Sequence, residues 1–218
     1  MKLQQADGFP LTFNLPDAAA MTGARVPALR TYIARNILNH VGQFPLAGQE
    51  RRFTVTGLVE VGIVDALAES LSLAAASKVA DYGLEAAFSV ARLCGADSHE
   101  NFDQKPELWM NGPQWDHRDL ANPVFWAFVL NENNNVAGFD VAFGWSDIGR
   151  ACKDVAKQTF RVTLPSVPWG GPATQVSSLP QPSEEFIGTA TPHVHVLNLT
   201  AILTKIDRAI SEKQGTAS

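Results

Sequence analysis

Apolar and polar positions change their period several times along the chain, and each change predicts an element. After a leader carrying the short strand-like run FPLTFNL, Leu15-Pro16-Asp17 opens a helix over 16–21. Proline suits a first helical turn, and an acid there complements the helix dipole. Gly23 then stops it as a residue free to turn left-handed. Pro27 starts a second helix, in which Leu29, Ile33 and Ile37 repeat at i, i+4 and i+8 on one face. The stretch NHVGQFPLAGQERRF is broken by Gly, Pro and Gln and predicts a small hairpin, or wing, with its tip near 46–49. Thr54 or Thr56 caps a third helix through Leu67, and a fourth covers 74–93.

The second half has another texture. Residues 95–113 are polar and interrupted by Gly and Pro, which marks a linker. NPVFWAFVLNENNNVAGFDVAFGWS is two β-rich runs around Asn131–Asn135, a hairpin signal. DIGRACKDVAKQTF follows as a short amphipathic helix, then a proline-rich extended stretch over 162–192. HVHVLNL is an apolar strand run, and TAILTKIDRAISEK is a closing helix capped at Thr200. The expected fold class is α+β. The expected division is a winged helix-turn-helix over 1–94, a linker over 95–113, and a mixed α+β domain over 114–218.

Composition sharpens this picture. The chain has 218 residues, 45% of them apolar, which is enough for a core and is not a disordered composition. Net charge is -5, which taken alone argues against a general nucleic-acid coating protein. The distribution says more: residues 1–56 carry net +3, while 93–218 carry nine basic and fourteen acidic side chains. Cys94 and Cys152 lie too far apart for a metal-ligand spacing or a disulfide framework. No apolar run is long enough to span a membrane and no signal-peptide pattern opens the chain, so a cytoplasmic protein is expected.

The front of the chain carries the chemistry. A short helix, a tight turn at Thr22-Gly23, and a second helix bearing Arg25, Arg30 and Arg35 make a helix-turn-helix. The second helix of such a unit lies in the major groove. Arg25 stands at its start, where an arginine can hold guanine O6 and N7 or a phosphate.

In order and spacing, AAAMTG, ALRTYI, NIL, GQERRF and VTGLVEVGIVDAL resemble the DNA-binding domain of MerR-type transcription regulators, over about residues 13–75. The resemblance implies that Arg30 and Tyr32 contact the DNA backbone from the recognition helix and that Arg51 and Arg52 grip flanking phosphates. The full DNA-binding set is Thr22, Arg25, Pro27, Arg30, Tyr32, Arg35, Arg51 and Arg52. Ile33 stands where that family usually has an acid, and the wing over 41–49 is unusual in composition. The second half resembles no effector domain, so metal sensing is not carried over.

Other candidates are weaker. His193 and His195 alternate on a strand and point to one side, so a third ligand would make a metal site. No carboxylate or cysteine stands near them in sequence, which favours a core or edge pair. Asp116, His117 and Asp119 read as a surface loop, and the five tryptophans as core or as the lining of a ligand pocket. The expected protein has no catalytic residues, metal or cofactor. It binds double-stranded DNA as a homodimer, paired through Ile202, Leu203, Ile206 and Ile210 on the closing helix. Its C-terminal domain takes a small-molecule or protein effector. Alternatives are a phage-type DNA-binding accessory protein, such as an excisionase or small terminase subunit, or an enzyme joining His193 or His195 to Asp140 or Asp147.

Overall fold

A computed structural model describes residues 11–40, 51–93, 103, 123–162 and 193–215. The architecture is mixed α+β. Four helices come first: α1 (Leu15–Thr22), α2 (Val26–Ala34), α3 (Val55–Leu67) and α4 (Leu73–Leu93). Strands β1 (Val124–Leu130) and β2 (Val136–Phe143), helix α5 (Ile148–Val162), strand β3 (Val194–Asn198) and helix α6 (Leu199–Gly215) follow. The predicted wing over 41–49, the linker (Asp103 apart), Asp116, His117, Asp119, Cys94 and most of the proline-rich stretch lie outside the described residues.

Local chemistry explains the helix ends. The Asn14 side chain accepts from Asp17 N at 2.8 Å and caps α1, whose last turn closes on Gly23 at φ 78°. Thr54 Oγ1 accepts from Gly57 N at 3.2 Å and caps α3. Asp103 adds a second acceptor there, taking Thr56 N at 2.7 Å. α2 ends at Ala34, short of the expected Ile37: Asn36 at φ 50° supplies the left-handed residue that stops it, and Ile37 enters the core from beyond the helix.

α3 is the central helix. Residues 55–64 are buried on every side, Glu60 included. Its neighbours are α1, α4, α6 and β3. α6 packs closely because Gly62 leaves a notch: a Cβ there would lie 2.7 Å from Ile202 Cγ2. Phe13 and Phe53 form an antiparallel bridge, with both N–H···O bonds at 2.8 Å, that ties the chain before α1 to the chain before α3.

The sheet has the order β2-β1-β3 and is antiparallel throughout. Its hairpin turns on Asn131, whose Oδ1 accepts from Asn133 N and Asn135 N, with Asn134 at φ 57°. On one face Trp126 and Phe128 enter the core shared with the helices; on the other Phe125, Ala127 and Val129 pack on Ala151 and Val155 of α5. That shared core joins α1–α4 to β1, β3 and α6, so packing crosses the stretch read as a linker.

Two expectations about α6 are corrected. Its cap is Asn198, whose Oδ1 accepts from Ala201 N at 2.9 Å. Thr200 is instead fully buried and accepts Val124 N at 2.7 Å, fastening the sheet to the helix. The face predicted for pairing between copies is covered within the chain: Leu203 and Ile206 are fully buried and Ile210 nearly so, with Ile202 packed against the same core. Burying such side chains contributes roughly 2 kcal/mol each, an upper figure since unfolded chains are partly compact.

Candidate nucleic-acid interface

α1 and α2 meet across a three-residue turn, Gly23 to Arg25. Thr22 is buried and shapes it: its Oγ1 donates to Ala18 O at 2.7 Å and accepts from Ala24 N at 3.3 Å. Arg25 has extended backbone at the head of α2 and is exposed, with Pro27 in the first turn behind it.

The faces of α2 divide cleanly. Leu29 and Tyr32 are buried, with Val26 and Ile33 packed beside them. Pro27, Arg30, Thr31 and Ala34 are exposed on the opposite face, and Arg35 is exposed at the C-terminal end. Arg30 therefore projects from the outward stripe. Tyr32 sits on the inward one, its hydroxyl donated to Asp65 Oδ1 of α3 at 2.8 Å. Burial and the bond to Asp65 push this phenol up to about 12, with the nearby Arg25 charge opposing the shift. Tyr32 thus fixes the helix that carries Arg30.

Arg51 is half-buried and Arg52 exposed, directly before the Phe53 bridge. Among the described residues no carboxylate pairs with Arg25, Arg30, Arg35, Arg51 or Arg52. Charged side chains that lack protein partners are open to an external anion.

Three supporting residues escaped the sequence reading. Asp65 is one. Glu60 is another: fully buried, its carboxylate accepts Asn39 N at 2.6 Å and His40 N at 2.8 Å, holding the chain that leaves α2 against α3. Burial pushes this carboxyl above the ordinary range, and the two N–H donors work against the shift. The third is Lys205 of α6, whose side chain lies over Gly23. Each pairing spans a long sequence separation and leaves no local pattern.

Carboxylates gather elsewhere. A cavity of about 690 Å³ at the N-terminal end of α3 is lined by His40, Asp81, Tyr82, Glu85, Phe88 and Asp103 among others. His40 Nε2 stands 3.6 Å from Asp81 Oδ1 there.

The register separates the proposed enzymatic groups. His195 lies opposite Phe128 on β3, while Asp140 lies opposite Ala127 on β2, so the two occupy opposite faces and opposite edges of the sheet. Two strand spacings alone place them about 10 Å apart. Asp140 and Asp147 instead bind Arg150, at 2.7 and 2.6 Å. His193 and His195 contact each other edge-on, ring centroids 4.6 Å apart, and His195 stacks on Phe128. Burial and the neighbouring His193 lower the His195 pKa. No group of three or more metal-ligating side chains occurs among the described residues. Trp126 is core, Trp145 is exposed against Phe125, and Trp109, Trp115 and Trp169 lie outside the described residues.

No known protein-family model matches the chain, and no curated protein matches it. No helix among the described residues is long and apolar enough to cross a membrane.

Proposed function

We propose that this chain is a sequence-specific, double-stranded-DNA-binding transcription regulator of MerR-like type, acting in the cytoplasm as a homodimer. The observation that carries the reading is the division of α2: its inner face is anchored by Leu29 and the Tyr32–Asp65 bond, while its outer face presents Arg30 beside an exposed Arg25 at the helix start. A left-handed glycine sets the turn between α1 and α2, as a helix-turn-helix requires.

Roles follow from position. Arg25 and the outer face of α2, with Pro27, enter the major groove, and Arg30 reaches the DNA backbone from that face. Arg35, Arg51 and Arg52 hold phosphates on either side. Thr22 and Tyr32 keep the turn and the helix in place. Homodimerisation uses a surface other than the apolar face of α6. An effector, small molecule or protein, acts through the C-terminal half.

The test is fluorescence anisotropy with the full chain, on a duplex selected from a random pool and on an unselected duplex, across a salt series. The expected result is tighter binding to the selected duplex and a linear fall of log K with log salt, of about 0.9 per phosphate neutralised. Arg30→Ala should weaken both complexes and flatten the slope by about one unit. Equal binding to both duplexes would favour a DNA-binding accessory protein without sequence preference. No binding at low salt would overturn the reading.

A further inference from the structure

We propose that Lys205, on the closing helix and outside the α1–α2 pair, is a DNA-phosphate contact; this rests on the reading of the chain as a DNA binder. The observation is a close approach between residues far apart in sequence. Gly23 forms the turn between α1 and α2, and a Cβ built on it would overlap the Lys205 ammonium and lie 2.8 Å from its Cε. The end of the lysine therefore rests on the backbone of the turn, two residues before Arg25.

The placement is imposed by the packing of α6. This helix runs antiparallel to α1: Lys205 sits at Gly23, and two turns later Lys213 pairs with Asp17 in the first turn of α1 and lies over the Phe13 ring. Leu203 and Ile206, on either side of Lys205, are fully buried. Ile202 fills the notch at Gly62. The backbone that carries Lys205 is thus fixed by the core, while the residue itself is exposed.

Lys205 has no carboxylate partner or hydrogen bond among the described residues. Asp207, the acid nearest to it in sequence on α6, is buried. An exposed, unpaired ammonium beside the turn that feeds Arg25 extends the cationic surface of Arg25 and Arg30 onto a third helix. Phosphate oxygens are the partner that suits it, since phosphate contacts fix how a reading helix sits and need only a point charge. The bland alternative is a cation complementing the C-terminal end of the α1 dipole.

The experiment separates these. Full-length wild type, Lys205→Gln, Lys205→Arg and Lys153→Gln are compared on the selected and unselected duplexes across salt, and each is melted. Lys153 is exposed on α5, on the other side of the sheet, and controls for net charge. A phosphate contact predicts that Lys205→Gln weakens both complexes by the same factor and lowers the salt slope by about one unit. Lys205→Arg restores the slope, and Lys153→Gln leaves it unchanged. A lowered melting temperature with an unchanged slope means dipole complementation only, and overturns the inference while leaving the DNA reading intact. Failure of wild type to bind either duplex overturns both.

Discussion

The Tyr32 hydroxyl donates to Asp65 Oδ1 at 2.8 Å, and this one bond joins the arginine-bearing helix α2 to the central helix α3. α2 is only nine residues long, too short to hold itself in water. Its orientation depends on what its inner face grips: Leu29 supplies apolar contact, and Tyr32 adds a directional bond that resists rolling. Arg30 lies on the opposite face, so any roll of α2 moves it directly.

Tyr32→Phe keeps the ring and removes the bond. A hydrogen bond to a charged, half-buried acceptor contributes about 1–2 kcal/mol, so the urea midpoint should fall with the m-value unchanged. The phenol is raised to about 12 from an ordinary 10, so the stabilisation is fully present below the ordinary value and is lost as pH rises through the native one. An alkaline absorbance titration should show a late phenolate step in wild type and none in Tyr32→Phe. A Tyr32 step at the ordinary position would contradict the bond.

Gly23→Ala forces a Cβ onto a residue at φ 78° and into the place of the Lys205 ammonium. The backbone term costs about 1 kcal/mol or more, and the lysine must swing away. The melting temperature should drop by about 2–4 °C for each kcal/mol lost. A double-mutant cycle with Lys205→Gln isolates the contact: the second substitution should recover part of the loss, leaving the φ penalty. Strict additivity would show that Lys205 does not rest on the turn.

Much of the element order was legible because it is written in local periods and caps. Gly23, Thr54 and the Asn131–Asn135 turn each act through neighbours within a few residues, and the boundaries they set fall within a residue or two of those expected, whereas α2 ends at Ala34, short of the Ile37 expected on its face. What lay beyond reach was pairing at a distance. Tyr32 is polar enough to read as a surface residue until Asp65, 33 positions on, is seen to accept its hydrogen bond. The α6 periodicity announced an apolar face at Leu203, Ile206 and Ile210 but could not say what covers it, and the cover is the chain's own helices. Thr200 misled because β3 runs into α6 without a loop, so the cap falls on the last strand residue, Asn198.

Arg150 gathers Asp140, Asp147 and Asp154 at 2.7, 2.6 and 3.2 Å on the outer layer. The guanidinium holds the Asp147 carboxyl down to about 2, helped by Phe143 N. A depressed carboxyl stabilises the fold above its ordinary range, and that contribution is lost as pH falls through about 2. Arg150→Ala should raise the Asp147 midpoint in a carboxyl-carbon NMR titration, incompletely because the Phe143 N–H remains. Arg150 is exposed and its carboxylate partners are only half-buried, so added salt should weaken the shift in wild type. An unmoved midpoint would mean that Phe143 N alone sets it.

Glu60 is the one carboxylate buried in the middle of α3, and it faces two backbone donors rather than a cation. Glu60→Ala leaves Asn39 N and His40 N without their acceptor and opens a cavity, so a loss of about 2 kcal/mol or more is expected. Glu60→Gln keeps an acceptor oxygen and should lose less. The two variants also differ in pH response. Burial raises the wild-type carboxyl, so its favourable contribution is full below the ordinary glutamate range and is lost as pH rises through the raised native value. The stability of wild type relative to Glu60→Gln should therefore decline with rising pH across that interval and level off beyond it. A difference that is flat with pH would place the native Glu60 midpoint at its ordinary value, with the two N–H donors fully offsetting burial. Asn39 and His40 lead into the stretch that ends at Arg51 and Arg52. If Glu60 fixes its start, Glu60→Ala should weaken DNA binding more than Glu60→Gln, under conditions where both remain folded.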